Sequence, residues 1–524
     1  MTSPSEMTPG TNPSGLMQTV REVEQKFAAD DAFVMPDLVL AGAASVSKQP
    51  TVTLTAHYFD TADLRLARSG ITLRRRTGGS DAGWHLKLPV YPGDATVRDE
   101  VRLPLSAGKP GRVPTELASV VLGVTRGTAL VAMATQRTRR TPYLVRGREG
   151  GVDLEVVDDR VSVVDGPMAG LTYREVEVEV VGRDLLLAAT AELLAASGAH
   201  PSRSTSKGVR AVAGDDVLAP VIPAVERARP KDPAASAVTQ NIRSHVRALF
   251  QQDVRVRRGL PDAVHQYRVS ARRLRSGLQA FSPLVDDAWA RRLRGELGWI
   301  AGVLGGARDR EVLEARLFAG IRMLPPDVDR AAAFVVVQDH LERELRVATA
   351  QISDVMQSQR YLDMLDALVA AATEPPTTEL AQQPSSSQLP PLVDKRWKRL
   401  AREAKTLHDE VYGHDDHWHK TRITAKKARY AVEACVPVFG GPARKLARQL
   451  EQVTELLGEH QDCAVAAATV RSLLDRETGP QAAFALGALY AQQRERTQQI
   501  RLEFIDAWPR ISHSEWRSWL KVKG

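Results

Sequence analysis

The hydrophobic period changes once along this chain, and that change limits what each half can fold into. From about residue 20 to 213, short runs of Val, Thr, Leu and aromatic residues alternate with polar ones, as in TVTLTAHYFD, GWHLKLP and TYREVEVEV. Alternation of this kind belongs to half-buried strands, whose side chains point to opposite faces in turn. Gly, Pro and Asp clusters separate the runs, which predicts many antiparallel strands in a sandwich or barrel. Two stretches, near 115–122 and 184–197, read as helices. Residues 214–236 carry four prolines and read as a linker. Beyond it Gly becomes sparse and long Ala/Leu/Arg segments run with helical period. Residues 1–19, rich in Ser, Thr, Pro and Gly, read as a disordered tail.

Composition narrows the class. The 524 residues are 43% hydrophobic and 26% charged, enough apolar material for real cores. The two cysteines, Cys435 and Cys463, rule out a disulfide scaffold and a Cys-based zinc module. The first 20 residues lack a basic and an apolar region, so no secretory signal is read there. No apolar run approaches the roughly 18–20 residues that span a bilayer. The expectation is a soluble, cytoplasmic protein with no membrane partner. Residues 1–215 hold 25 basic and 25 acidic residues, whereas 216–524 hold 46 and 38, which is the whole net +8. A basic half points to a polyanion partner, with nucleic acid the usual default.

The helical half is duplicated. Residues 265–275 read HQYRVSARRLR and residues 419–429 read HKTRITAKKAR. Each gives His, Arg three later, a basic pair at seven and eight, and Arg at ten. VLGGARDREV then places Asp309 44 residues after His265, and LLGEHQDCAV places Asp462 43 residues after His419. Such a repeat means two copies of one helical unit, here about 237–373 and 392–520. A Pro/Ser/Gln-rich, low-complexity break at 374–391 separates them.

Charged residues in the strands fall on single faces. Glu22, Glu24 and Lys26 share one; so do Arg74 and Arg76, His85 and Lys87, Asp153 and Glu155, and Glu175, Glu177 and Glu179. Like charges along a strand repel. Acidic strands beside basic ones make sense if the charged face lines a lumen. Carboxylates there would supply hard oxygen ligands for Mg²⁺ or Mn²⁺, and Arg and Lys would neutralise phosphate oxygens.

At this point residues 20–213 resemble the CYTH domain, the triphosphate tunnel metalloenzymes. The opening ExExK is Glu22, Glu24 and Lys26; LRxR is Leu73–Arg76, followed by Lys87. Arg140 stands ahead of Tyr143, Asp153 lies in the acidic strand, Glu175 and Glu177 form the late ExE, and Ser206–Lys207 the closing SK. The resemblance implies an eight-stranded antiparallel β-barrel that holds a triphosphate lengthwise. It implies metal on Glu22, Glu24, Glu175 and Glu177, and triphosphate on Lys26, Arg74, Arg76, Lys87, Arg140 and Lys207. Asp153 and Lys26 are the implied catalytic residues. No P-loop, HExxH or GxSxG signature occurs.

At about 100° per residue, His265, Arg268, Arg272 and Arg275 fall within an arc of about 80°. His419, Arg422, Lys426 and Arg429 repeat it, with Arg273 and Lys427 completing the basic pairs. A solvated basic face normally carries Glu at i+4. Residues 255–275 have seven Arg and one acidic residue, Asp262, so a displaceable polyanion fits better. These segments resemble the CHAD domain, whose signature HxxRVxxRRxR is met by 265–275 and, as HxxRIxxKKxR, by 419–429. The resemblance implies inorganic polyphosphate bound by all ten basic residues of the two copies, in a basic pore.

The expected fold is therefore a two-domain α+β chain, a barrel followed by an all-α duplicated helical bundle. The expected function is metal-dependent hydrolysis of inorganic triphosphate, short polyphosphate or an organic triphosphate. A tethered polyphosphate-binding domain would raise local substrate concentration. Two alternatives stand beside it, a non-catalytic polyphosphate binder on polyphosphate granules and an adenylate cyclase. Nucleic acid is the weaker partner, because only 5% of residues are aromatic and the basic helices carry no stacking platform.

Overall fold

The computed structural model describes residues 17–90, 96–202, 206–474 and 478–521. The tail expected over 1–19 lies outside them up to residue 16. The chain divides into two compact units at Val221/Ile222.

The first unit is a β-barrel. Its strands are β1 (Gln18–Ala29), β2 (Ser45–Lys48), β3 (Val52–Asp60), β4 (Thr72–Thr77), β5 (Gly83–Pro89), β6 (Val97–Leu103), β7 (Val131–Arg146), β8 (Val152–Asp165), β9 (Thr172–Val180) and β10 (His200–Pro201). Four short helices accompany them: α1 (Thr115–Val120), α2 (Leu122–Thr125), α3 (Leu187–Ala196) and α4 (Lys207–Ala213). Eight strands close in the order β1-β6-β5-β4-β3-β7-β8-β9, with every pairing antiparallel; β2 and β10 add to the outside. Strand β1 makes the closure. Its first half pairs with β6, Glu22 opposite Arg98, and its second half with β9, Glu24 opposite Glu179 and Lys26 opposite Glu177.

The apolar core lies outside the lumen. Outward Leu154, Val156, Val176 and Val178 are buried together with Phe27, Val145 and Leu194 of α3. Alternation in β8 and β9 thus sends valines out and carboxylates in, so burying the outer face places charge inside the barrel. Helix α4 packs into one end of the barrel, with Ala211 against Ala56, Tyr58, Ala134 and Val163. Gly208 is required there, because a Cβ would stand 2.8 Å from Thr72 and the Tyr58 ring.

The second unit is helical: α5 (Ala234–Arg257), α6 (Ala263–Ala280), α7 (Asp287–Arg322), α8 (Arg330–Gln357), α9 (Gln359–Thr373), α10 (Ser385–Thr406), α11 (Asp415–Phe439), α12 (Gly441–Leu474) and α13 (Pro480–Ile511). The duplicated motifs lie on α6 and α11, which pack together. Both repeats feed one core of Leu317 and Ile321 (α7), Val337 and Leu341 (α8), Val470 (α12) and Leu486 and Leu489 (α13). No described helix is long and apolar enough to cross a membrane.

One segment departs from its sequence reading. The break expected at 374–391 contains the start of α10, which runs from Ser385 through Pro390 and Pro391. The opening amides of α10 are satisfied from elsewhere: Ser385 N donates to Asp232 O at 2.8 Å and Ser386 N to Pro230 O at 2.9 Å. Pro233 and Pro384, which precede α5 and α10, form a β-bridge. Tertiary partners thus support a helix start that propensity alone disfavours.

Candidate active site and basic cluster

The barrel lumen is a narrow space of about 50 Å³ lined by charge. Of the residues read from sequence, Glu22, Glu24, Lys26, Arg74, Arg76, Lys87, Arg140, Glu177 and Lys207 line it. Glu179, Arg98, Glu100 and Arg102 line it too.

Ion pairs divide the lumen into two neighbourhoods. In one, Lys207 Nζ lies 2.8 Å from Asp159 Oδ2, 2.8 Å from Glu177 Oε1 and 3.2 Å from Glu175 Oε1. Arg140 donates to both oxygens of Asp159, at 2.9 and 2.6 Å, and to Glu177 at 3.0 Å. Lys26 pairs with Glu177 and, at 3.1 Å, with Glu24. Burial lowers Lys26 and Lys207, but Glu177 with Glu24, and Asp159 with Glu177, outweigh it and hold both above the usual lysine range. Lys26 is therefore a fixed cation and not a proton acceptor at neutral pH.

In the other neighbourhood, Lys87 Nζ lies 2.6 Å from Glu22 Oε2 and 3.8 Å from Glu100 Oε1. Glu100 also meets His85 Nδ1 at 3.0 Å and Arg74 at 3.9 Å. Burial would raise Glu100, yet His85, Lys87 and Arg74 hold it well below the carboxylate range. His85 is lowered to about 4, chiefly by burial. Arg76, which pairs with Asp81, is lowered to about 9 by burial and by Arg74 and Arg140.

Glu22, Glu24 and Glu179 meet where β1 and β9 pair. Glu179 is raised to about 7, first by burial and then by Glu22, with Glu24 adding. Burial would raise Glu24 itself, yet Lys26 and Lys87 lower it, so it stays an ionised hard-oxygen donor of the kind a divalent cation takes. Among the described residues no three His, Cys, Asp or Glu side chains form a ready-made metal cluster. Glu175 and Glu177 are held instead by Lys207, Lys26 and Arg140.

Asp153 does not reach the lumen. It lies at the start of β8, where Oδ1 accepts from Arg183 N at 3.4 Å and its carbonyl accepts from Val181 and Gly182. The acids that β8 does send inward are Glu155, opposite Glu179, and Asp159, which meets Arg140 and Lys207.

In the helical unit the structure splits the eight Arg and Lys residues of the two copies three ways. Arg268, Arg272, Arg422 and Lys426 gather beside Asp309 and Asp462; Arg268 Nη1 lies 2.9 Å from Asp309 Oδ1. Lys426 is lowered to about 7 by burial, Arg422 and Arg272. Arg275 and Lys427 join Arg294, Arg396 and Arg399; burial and these arginines lower Lys427. Arg273 and Arg429 are tied down, since Arg273 Nε lies 3.3 Å and Arg429 Nε 2.7 Å from Glu433, and Arg429 also reaches Glu451 at 2.5 Å. His419 bonds Gln461, and His265 is lowered by burial beside Arg308.

A closed antiparallel barrel with cations and carboxylates inside, followed by a duplicated helical unit with a basic cluster, defines a two-domain class. Residues 20–210 match the CYTH domain and residues 240–471 the CHAD domain. Two proteins of Mycobacterium tuberculosis, from two strains and each called uncharacterized, are 33% identical over 507 residues, covering 92% of this chain and 94% of theirs. The chain belongs to this CYTH–CHAD family. A CHAD domain from the plant Ricinus communis is 25% identical, covering 56% of this chain and 95% of that one, with a TM-score of 0.44. A Hippeastrum protein, described as an adenylyl cyclase with a dominant triphosphatase activity, is 17% identical over 38% of this chain and 97% of its own, with a TM-score of 0.24. CYTH domains are generally enzymes, triphosphatases or cyclases, and are typically metal-dependent.

Proposed function

We propose that the barrel hydrolyses inorganic triphosphate or short polyphosphate with Mg²⁺ or Mn²⁺, and that the helical unit binds longer polyphosphate. The observation that carries the reading is the lumen, where Arg74, Arg76, Lys87, Arg102 and Arg140 line the same space as Glu22, Glu24 and Glu179. The first set suits phosphate oxygens. The second would hold the metal, which when bound supplies charge neutralisation and Lewis-acid activation of water.

Phosphoryl transfer needs positioning and charge neutralisation more than covalent help. Water attacks the terminal phosphorus, the P–O anhydride bond breaks, and phosphate and diphosphate leave with the proton released to solvent. Arg74 and Arg76, two residues apart on β4, hold successive stretches of the chain in line. Lys26 and Lys207 keep their protons and so remain available to neutralise the charge on the departing group. In the helical unit, Arg422 and Arg272 raise the cost of charging Lys426, and Arg272 that of charging Arg422, which a phosphate chain relieves. The same reading puts the protein on polyphosphate in the cytoplasm, granules included.

Purified protein is incubated with Mg²⁺ or Mn²⁺ and triphosphate, polyphosphate, ATP or thiamine triphosphate, and products are followed by phosphate release and chromatography. Phosphate released from triphosphate supports the reading. Cyclic AMP as the main product would replace it with the cyclase, and binding without turnover with the non-catalytic binder.

A further inference from the structure

The barrel carries a second charged face, on its outside. The alternation that sends Arg140 inward sends Arg137 and Arg139 outward, and both are exposed. Arg139 stands directly opposite Arg160 on β8, and Arg137 stands between Thr55 on β3 and Ser162 on β8. Arg75, outward on β4 beyond β3, adds a fourth guanidinium. Like charges directly opposed on neighbouring strands are destabilising, and a soluble surface normally intersperses both signs.

These charges have little to balance them. Among the described residues Arg75, Arg137 and Arg139 make no ion pair, and Arg75 Nε is buried without a hydrogen-bond partner. Arg160 reaches Asp31 at 3.5 Å, but both side chains are exposed, 53% and 95%. Such an exposed, solvent-screened pair contributes little. Elsewhere the outward face is either apolar and packed against α3 or carries balanced pairs, Arg21 with Asp99 and Arg174 with Asp158, so the basic block is not how this sheet treats its outside in general.

We propose that this outer face binds an extended inorganic polyphosphate chain, as a second site separate from the lumen. Neighbouring strands lie about 4.8 Å apart and alternate residues about 6.8 Å apart, so the four arginines form a closely spaced array on the barrel wall, with the hydroxyls of Thr55 and Ser162 between them. That array satisfies phosphate oxygens through charge-assisted bonds. Trp84, which stands opposite Arg75, is fully buried and offers no face on which a base could stack, which disfavours single-stranded nucleic acid. A triphosphate is too short to gain from it, whereas a chain of tens of phosphates spans it. The inference goes beyond the hydrolytic reading and does not require turnover.

The test is phenylglyoxal labelling of the full-length protein, read residue by residue by mass spectrometry. This isolates Arg137, Arg139 and Arg160 from the arginines of the helical unit. Long-chain polyphosphate should slow labelling of Arg137 and Arg139 several-fold, while triphosphate at equal phosphate concentration leaves them unchanged. Arg137→Gln with Arg139→Gln should lower the salt slope of polyphosphate binding by about 1–2, by analogy with the counterion release of nucleic acids. The same variant should hydrolyse triphosphate at the rate of the unaltered protein. Undiminished labelling under saturating polyphosphate would overturn the proposal. Equal protection by single-stranded DNA of matched charge would also overturn it, replacing it with a nucleic-acid face. Loss of triphosphate hydrolysis in the unaltered protein would strike the hydrolytic reading alone.

Discussion

The lumen and the helical cluster hold many of the same side chains and treat them in opposite ways. In the lumen nearly every cation has carboxylates beside it: Lys207 has three, Arg140 two and Lys87 two. Burial works against Lys26, Lys207 and Arg140, but their partners win and keep them charged. Arg76 is the exception, lowered by burial, Arg74 and Arg140. In the helical unit burial has help. Arg422, Lys426 and Lys427 are all lowered, and most of their neighbours are cations. A balanced site holds its shape without ligand, and an anion entering it must displace carboxylates that a second cation can occupy. An unbalanced site gains from any anion directly. On the proposed reading, the difference assigns metal dependence to the barrel and metal-free polyanion binding to the helices.

The largest expected effect would break the comparison on the lumen side. Glu22→Gln or Glu24→Gln should lower metal-dependent triphosphate hydrolysis by about 10²–10³-fold or more, the scale of removing one preorganised transition-state contact. Phosphate release at saturating metal measures it, and full activity in both variants would sink the donor assignment. Next, Ala in place of Arg268, Arg272 and Arg275 together should flatten the salt dependence of long-chain polyphosphate binding by about 2–3 in slope, at roughly 0.7–0.9 per lost contact. The titration is run in EDTA; an unchanged slope would return the stripe to ordinary solvated surface.

Smaller effects sharpen the contrast. Asp309 and Asp462 are the carboxylates that face this cluster: Asp462 acts on Lys426 and Arg422, and Asp309 on Arg422 and Arg268. They stand where an anion would. Asn at both positions should tighten polyphosphate binding by about fivefold, the worth of one or two exposed pairs; weakened binding would mean that they orient the arginines instead. The smallest effect is on pH. Lys426 falls from the ordinary lysine value of 10.5 to about 7, so it is charged below pH 7 and neutral above it. Affinity for a polyanion should therefore drop by about two- to threefold as pH rises from 6 to 8. Lys426→Arg should flatten that profile, and a flat profile in the unaltered protein would remove Lys426 from the contact.

Alternation made much of the lumen legible. Glu22, Glu24, Lys26, Arg74, Arg76, Arg140 and Lys207 follow from period-2 faces and ordered motifs, and all line the cavity. Asp159 and Glu100 were not legible, because their meaning comes from the register that sets Asp159 near Arg140 and Glu100 opposite Lys87. Asp153 shares the inward parity of Asp159 but lies where the strand begins, and parity alone does not say how far along a barrel a residue sits. In the helical unit the duplicated stripe was visible, but Arg294, Arg396 and Arg399 come from helices outside the motif. A helical wheel does show Arg429 meeting Glu433 at i+4, but not that Arg273 on α6 would find the same carboxylate.

Strand β1 is the first strand made and the last to be completed. Lys26 and Glu177, which meet across the closing seam, are 151 residues apart. At about 5–20 residues per second, the ribosome takes roughly 8–30 seconds to supply the missing side. Through that interval the second half of β1 is an open edge, able to pair with the edge of another nascent chain. Glu24 and Lys26 lie along it, and charge on an edge is how sheets resist such pairing. The same side chains would thus serve twice, as gatekeepers while the barrel is open and as lumen once it has closed.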